Sequence, residues 1–133
     1  MIKRMINIDN YWRVIVYYNV DYDSYRIVSR EVKEYTSPVE EIDYAVFLLI
    51  NHRAKAFTIS TSRRISVMCF RKHRSIRDYL NSIVHEAEHV KQAMLKYYRV
   101  RDRGEPPAYT IGYIASRLIS IFLNVVVRES YNR

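Results

Sequence analysis

The chain opens with a dense block of β-branched and aromatic residues. Tyr11 to Val20 reads as a strand. Asp21-Tyr22-Asp23-Ser24 has turn composition, and Tyr25 to Val32 reads as the partner strand of a hairpin. Ser37-Pro38-Val39-Glu40 carries the marks of a helix start, with Ser as the cap, Pro in the first position and Glu in the third; that helix should run to about Ile50. Ala56 to Ser60 and Ile65 to Phe70 read as two more strands joined by Thr61-Ser62-Arg63-Arg64. Ser75 can cap a long helix from about Ile76 to Tyr98, the segment Arg101 to Pro107 breaks it, and a last helix is expected from Ala108 to Arg128. Strands, a helix, strands and two helices predict an α+β fold: a small antiparallel β-sheet backed by helices. With two glycines and three prolines, linkers are scarce, and residues 1–133 read as a single domain.

Composition adds little to the fold and more to the chemistry. The chain is 49% hydrophobic and 27% charged, as a globular protein should be. Its net charge of +8 favours acidic partners, although solubility alone can account for such a balance. The single cysteine, Cys69, cannot form an internal disulfide, which suits a reducing compartment. The N-terminal residues turn polar without an apolar core, so no signal peptide is read, and a cytoplasmic location is expected. The longest apolar run, Leu118 to Val127, is interrupted by Ser120 and Asn124 and is short of the roughly 20 residues that span a bilayer; no transmembrane segment is expected.

The chemistry concentrates in His85-Glu86-Ala87-Glu88-His89. Histidines four apart on a helix share one face, one turn apart, so both imidazoles can reach one metal ion. Zinc accepts histidine nitrogen and, in catalytic sites, keeps a position open for water. Glu86 is placed to take a proton from that water and pass it to a leaving amine. At about 100° per residue, Leu80, Ile83, Val84, Ala87, Val90, Met94 and Tyr98 form an apolar stripe. His85 and His89 fall on the other side with Asp78, Asn81, Gln92 and Lys96, which argues against core histidines.

Downstream lies Gly104-Glu105-Pro106-Pro107-Ala108, in which Glu105 and Ala108 form an ExxA. An HExxH followed by such a glutamate resembles the gluzincin metallopeptidases, and the short spacing is similar to that of minimal members of the clan. The resemblance covers residues from about 80 to 116. It implies a minimal zincin-like fold with His85, His89 and Glu105 as zinc ligands and Glu86 as general base. It also implies that the strand Ile65 to Phe70 lines a cleft and pairs with an extended peptide or protein substrate. The stretch Asn81 to His89, with Gly104 to Tyr113, is similar to small peptidases encoded by phages and mobile elements of gut Bacteroidales. The chain departs from the family in having Gly104 where Asn is usual, and in the two prolines that put Glu105 at the mouth of its helix. A helix running to Tyr98 ends ~13 Å beyond His89, so for Glu105 to reach the metal either the segment from Arg99 to Glu105 returns in extended form or the helix ends nearer Met94. Asp102 is the next candidate ligand. Tyr109 and Tyr113 are candidates to donate to the charged oxygen of the transition state, and both fit equally as packing tyrosines. His73, among Arg71, Lys72, Arg74 and Arg77, reads as part of an exposed basic loop. A deformylase-type site would need a cysteine ligand, but Cys69 lacks the flanking residues of that motif.

An alternative reading is a basic nucleic-acid-binding or virion-associated protein in which the HExxH is structural or incidental. Arg63, Arg64, Arg71, Lys72 and Arg74 bracket a strand and could contact phosphates; a solvated strand edge explains them as well. The last helix confines its polar residues to Thr110, Tyr113, Arg117, Ser120, Asn124 and Arg128, which predicts that it is mostly buried, in its own core or in a homo-oligomer.

Overall fold

The computed structural model describes residues 1–35 and 39–131, without the side chains of residues 39–41, 105 and 107. The fold is α+β and falls into two compact units, Met1–His73 and Arg74–Arg133.

The first unit contains strands β1 (Ile2–Ile8), β2 (Trp12–Val20), β3 (Ala56–Ser60) and β4 (Ile65–Arg71), and helices α1 (Tyr25–Tyr35) and α2 (Val39–Ile50). The sheet order is β1-β2-β4-β3. β1 and β2 are antiparallel, as are β3 and β4, whereas the central pair β2 and β4 runs parallel, so the sheet is mixed, and β4, paired on both edges, has no open edge for the extended substrate that the resemblance implies there. A parallel pair cannot be closed by a hairpin. The crossover from β2 to β4 is made by α1, α2 and β3.

That crossover overturns one expectation. Tyr25 to Val32 forms the first turns of α1 and is not a strand. Its β-branched residues suggest extension, but Val28 and Val32, four apart, are fully buried while Ile27 is 45% exposed, which is the helical period. Asp21 and Ser24 hold the turn before it: Ser24 N donates to Asp21 Oδ1 at 2.9 Å, and Asp21 N donates to Ser24 Oγ at 3.0 Å. The actual hairpin partner of β2 is β1, in a stretch read from sequence only as a polar N-terminus. Ile2, Ile6 and Ile8 are its buried residues, and Asp9 and Asn10 both have positive φ in the turn, which those residue types accept more readily than most. The cap assigned to Ser37 and Pro38 lies outside the described residues; α2 itself ends at Ile50 as expected.

β2 reads Trp-Arg-Val-Ile-Val-Tyr-Tyr-Asn-Val, a nearly continuous apolar run, and all of it except Arg13 and Asn19 is buried. Ile15, Tyr17, Val67 and Cys69 on one face pack with Val28 and Val32 of α1 and Ile42, Val46 and Leu49 of α2. On the opposite face Tyr18 stacks on Phe70, with ring centroids 5.6 Å apart. Lys3 of β1 pairs with Glu31 of α1 at 2.8 Å, tying the edge strand to the helix layer.

The second unit holds α3 (Ile76–Tyr98) and α4 (Glu105–Ile121), which continues through a π-helical turn (Phe122–Val126) into α5 (Val127–Ser130). Helix α4 begins at Glu105, three residues before the expected start at Ala108, because Gly104 makes the turn. Ile114, Leu118, Phe122 and Val126 are fully buried and four apart. In an unbroken α-helix each such step drifts ~40° around the axis, and the wider π turn offsets this drift. Among the described residues of this helix only these four are buried, and they make up 22% of its most apolar window, against the expectation of a mostly buried helix. Arg117, Ser120, Asn124 and Arg128 face outward. Counted as one continuous helix, Ala108–Ser130 is long and apolar enough to cross a membrane by length and composition, which counting the run Leu118 to Val127 alone does not show.

Because α1 buries Val32 completely, Val32→Ala should lower unfolding free energy by about 1.5–3 kcal/mol. Ile27→Ala should change it by less than about 0.5 kcal/mol. Denaturant titration followed by circular dichroism measures both.

Candidate metal centre

Helix α3 is built to hold its registration. Ser75 is extended, and its hydroxyl accepts from Asp78 N at 3.1 Å; Asp78 also places a negative charge in the first turn. At the other end Arg99 takes a left-handed conformation with φ 56°, its N–H reaches the Leu95 and Lys96 carbonyls, and Val100 N closes on Leu95 O at 2.9 Å. The helix therefore spans Ile76 to Tyr98 as the sequence predicts.

Its buried face differs by a fraction of a turn from the expected stripe. Ile83, Ala87, Val90 and Met94 are buried as expected, but Tyr79, Glu86, Lys91 and Leu95 join them, while Val84 and Tyr98 are 45% and 37% exposed. Tyr79 anchors this phase by packing on Phe122, with ring centroids 4.5 Å apart. The rotation brings Glu86 to the inner edge, 5% exposed, and leaves His85 and His89 facing outward.

The two imidazoles are 4.9 Å apart at their centroids, with planes 85° to one another. Glu86 Oε2 lies 3.9 Å from His85 Nε2. One ligand-capable atom from each of His85, Glu86 and His89 falls within 4.8 Å of the others. Two nitrogens at ~2.0–2.1 Å from one tetrahedral ion sit about 3.3 Å apart, so side-chain rotation of an ångström or two brings the pair into coordination. The donor set, two imidazoles beside a carboxylate, suits zinc. Among the described residues no other His, Cys, Asp or Glu joins this group.

The remaining candidates are distributed as follows. Glu105 is the first residue of α4, and its carboxylate lies outside the described side chains. Asp102 is engaged elsewhere: its carboxylate pairs with Lys91 Nζ at 3.0 Å, and Lys91 also holds Glu88 at 2.6 Å. Glu88, the second glutamate of the motif, is thus a structural partner, and Gln92 donates to it as well, at 3.4 Å. Tyr109 is in the first turn of α4 and 77% exposed, and Tyr113 is half-buried one turn on. In the first unit, His73 is buried with Nδ1 2.6 Å from Arg71 O, contrary to the exposed loop expected. Cys69 is fully buried, and burial pushes its thiol pKa well up, which disfavours the thiolate a deformylase-type site needs.

The role of Lys91 was not read from the sequence. The signal was a lysine inside an otherwise apolar face, three residues after a glutamate. Through Asp102 it folds the connection after α3 back along the helix, which is the return that a ligand role for Glu105 requires. Gly104 completes the connection with φ 83° and ψ −161°, a conformation essentially confined to glycine, which explains why Asn is absent there.

Comparison with protein-family models, with curated proteins and with solved structures finds no match for this chain.

The hydrogen bond to Glu88, helped by Asp102, raises the Lys91 pKa above its ordinary 10.5. A raised lysine contributes stability that is complete below about pH 10.5 and is lost as pH rises through the folded value. Lys91→Met should cost about 1–2 kcal/mol at neutral pH, and the gap to the unsubstituted chain should narrow above pH 10.5, as read by thermal melts across pH. Gly104→Ala should destabilise by about 1–3 kcal/mol through backbone strain alone, since its Cβ would meet nothing within 4 Å; a denaturant midpoint checks this.

Proposed function

We propose that the chain is a zinc-dependent metallopeptidase of the gluzincin type, with His85, His89 and Glu105 holding the metal. The observation that carries this reading is the His85–Glu86–His89 group, with ligand atoms within 4.8 Å of one another on a helix whose opposite face is buried. Bound zinc would supply Lewis acidity toward a peptide carbonyl and bring the pKa of water toward ~7. The protein's own part falls to Glu86. Set at the inner edge beside His85, it accepts a proton as water adds to the carbonyl carbon, then gives that proton to the amine as the C–N bond breaks. Water is consumed, and a carboxylic acid and an amine are released. Tyr109, exposed in the first turn of α4, is the proposed donor to the oxygen that gains charge. The net charge of +8 favours substrates rich in Asp and Glu.

The test separates binding from chemistry. Protein prepared without chelator should carry one zinc per chain, and His85→Ala or His89→Ala should abolish stoichiometric loading. Glu86→Gln should keep the zinc and lower hydrolysis of a quenched-fluorescence peptide library by roughly 10²–10⁴-fold. Unsubstituted protein without stoichiometric zinc, or a Glu86→Gln variant of full activity, would refute the reading.

A further inference from the structure

We propose that the first unit carries a nucleotide-binding pocket at the end of the sheet where its two hairpin turns meet. Because β2 and β4 are parallel, the turn leading into each lies at the same end. Arg13 N donates to Arg64 O at 3.0 Å and stitches the two turns together. Between them is a depression of about 310 Å³, lined by Asn7, Asn10, Tyr11, Arg13, Arg63 and Arg64 over a floor of Trp12 and Ile65. This volume is at the lower end of the range for small-molecule sites, roughly 300–1,000 Å³.

The lining has one sign of charge. Three arginines line it, and among the described residues no acidic one does. One of the three is fixed in advance. Arg63 donates to the Tyr35 carbonyl at 2.7 Å, at the C-terminus of α1. Arg64 sits in the left-handed region at φ 62°, an unusual place for a side chain of its size. Arginine forks match phosphate oxygens. Beside them Tyr11, 60% exposed, offers an aromatic face on which a base can stack, and the Asn7 and Asn10 amides can both donate and accept. The floor is rigid: the Trp12 indole donates to Ser66 Oγ at 2.9 Å, and Ser66 is 2.6 Å from Ser60. Arginines for phosphate, a tyrosine for the base and two amides for its edge define a nucleotide, free or within a single strand.

Arg71 and Lys72, at the far end of β4, are not part of this pocket. This separates the proposal from general basicity. The experiment uses the full chain with chelator present, so that phosphate binding at a metal does not contribute. Inorganic phosphate, a nucleoside 5′-monophosphate and a fluorescent eight-residue oligothymidylate are titrated at low salt. Arg64→Gly keeps the backbone geometry at no steric cost and should weaken nucleotide binding about tenfold or more. Lys72→Ala removes the same charge and should leave it within about twofold. Tyr11→Ala should weaken both nucleotides and spare inorganic phosphate. An oligonucleotide bound more than about tenfold tighter than the mononucleotide identifies a strand as the source, and equal binding identifies a free nucleotide. Absence of saturable binding, equal loss in Arg64→Gly and Lys72→Ala, or indifference of nucleotide binding to Tyr11→Ala would overturn the proposal.

Discussion

The rotational phase of α3 decides what the second unit can do. Each residue turns the helix by about 100°, so a one-residue slip would carry an outward imidazole well toward the buried side. The phase is fixed by four fully buried side chains, Tyr79, Ile83, Ala87 and Val90, and by the packing of Tyr79 on Phe122. The Ser75 cap and the left-handed Arg99 set where the helix begins and ends. With the phase held, His85 and His89 face outward together and Glu86 lies at the boundary between water and the packed interior. A base at that boundary is shielded from bulk water while still beside the histidines it is proposed to serve.

A second layer of control comes from the connection between α3 and α4. Left to itself, a helix ending nine residues beyond His89 would carry the next element ~13 Å away. Lys91, gripping both Glu88 and Asp102, brings the connection back along α3, and Gly104 turns it sharply into α4. Two short carboxylate contacts offset the desolvation of the buried Lys91 ammonium. The residues of the motif thus divide their labour, with Glu86 beside the histidines and Glu88 in the scaffold.

The sequence made α3 legible because its signals agree: a serine cap, a continuous 3.6-residue period and a basic last turn. The strands β2, β3 and β4 were legible for a similar reason, since β-branched residues and turn composition point the same way. α1 was not, because Tyr25, Ile27, Val28 and Val32 combine β-favouring side chains with a helical spacing of buried positions, and packing against Ile15 and Val67 decides between them. β1 was missed because its apolar residues are diluted by Lys3, Arg4 and Asn7, as expected of an edge strand with one wet face. The parallel pairing of β2 with β4 follows from that crossover and has no local signature. At the candidate site, the histidines and Glu86 were readable from spacing, whereas the Lys91 clamp depends on a residue eleven positions away. The arginine pocket likewise joins Arg13 to Arg63 and Arg64, which only the sheet brings together.

His85 and His89 are proposed to share a metal ion. X-ray absorption at the zinc edge of the loaded full-length chain tests it most directly. Two imidazole ligands with Zn–N of ~2.0–2.1 Å are expected, the remaining positions filled by oxygen, with loss of the imidazole signal in His85→Ala. A spectrum dominated by a Zn–S distance near ~2.3 Å, or one without imidazole scattering, would contradict it.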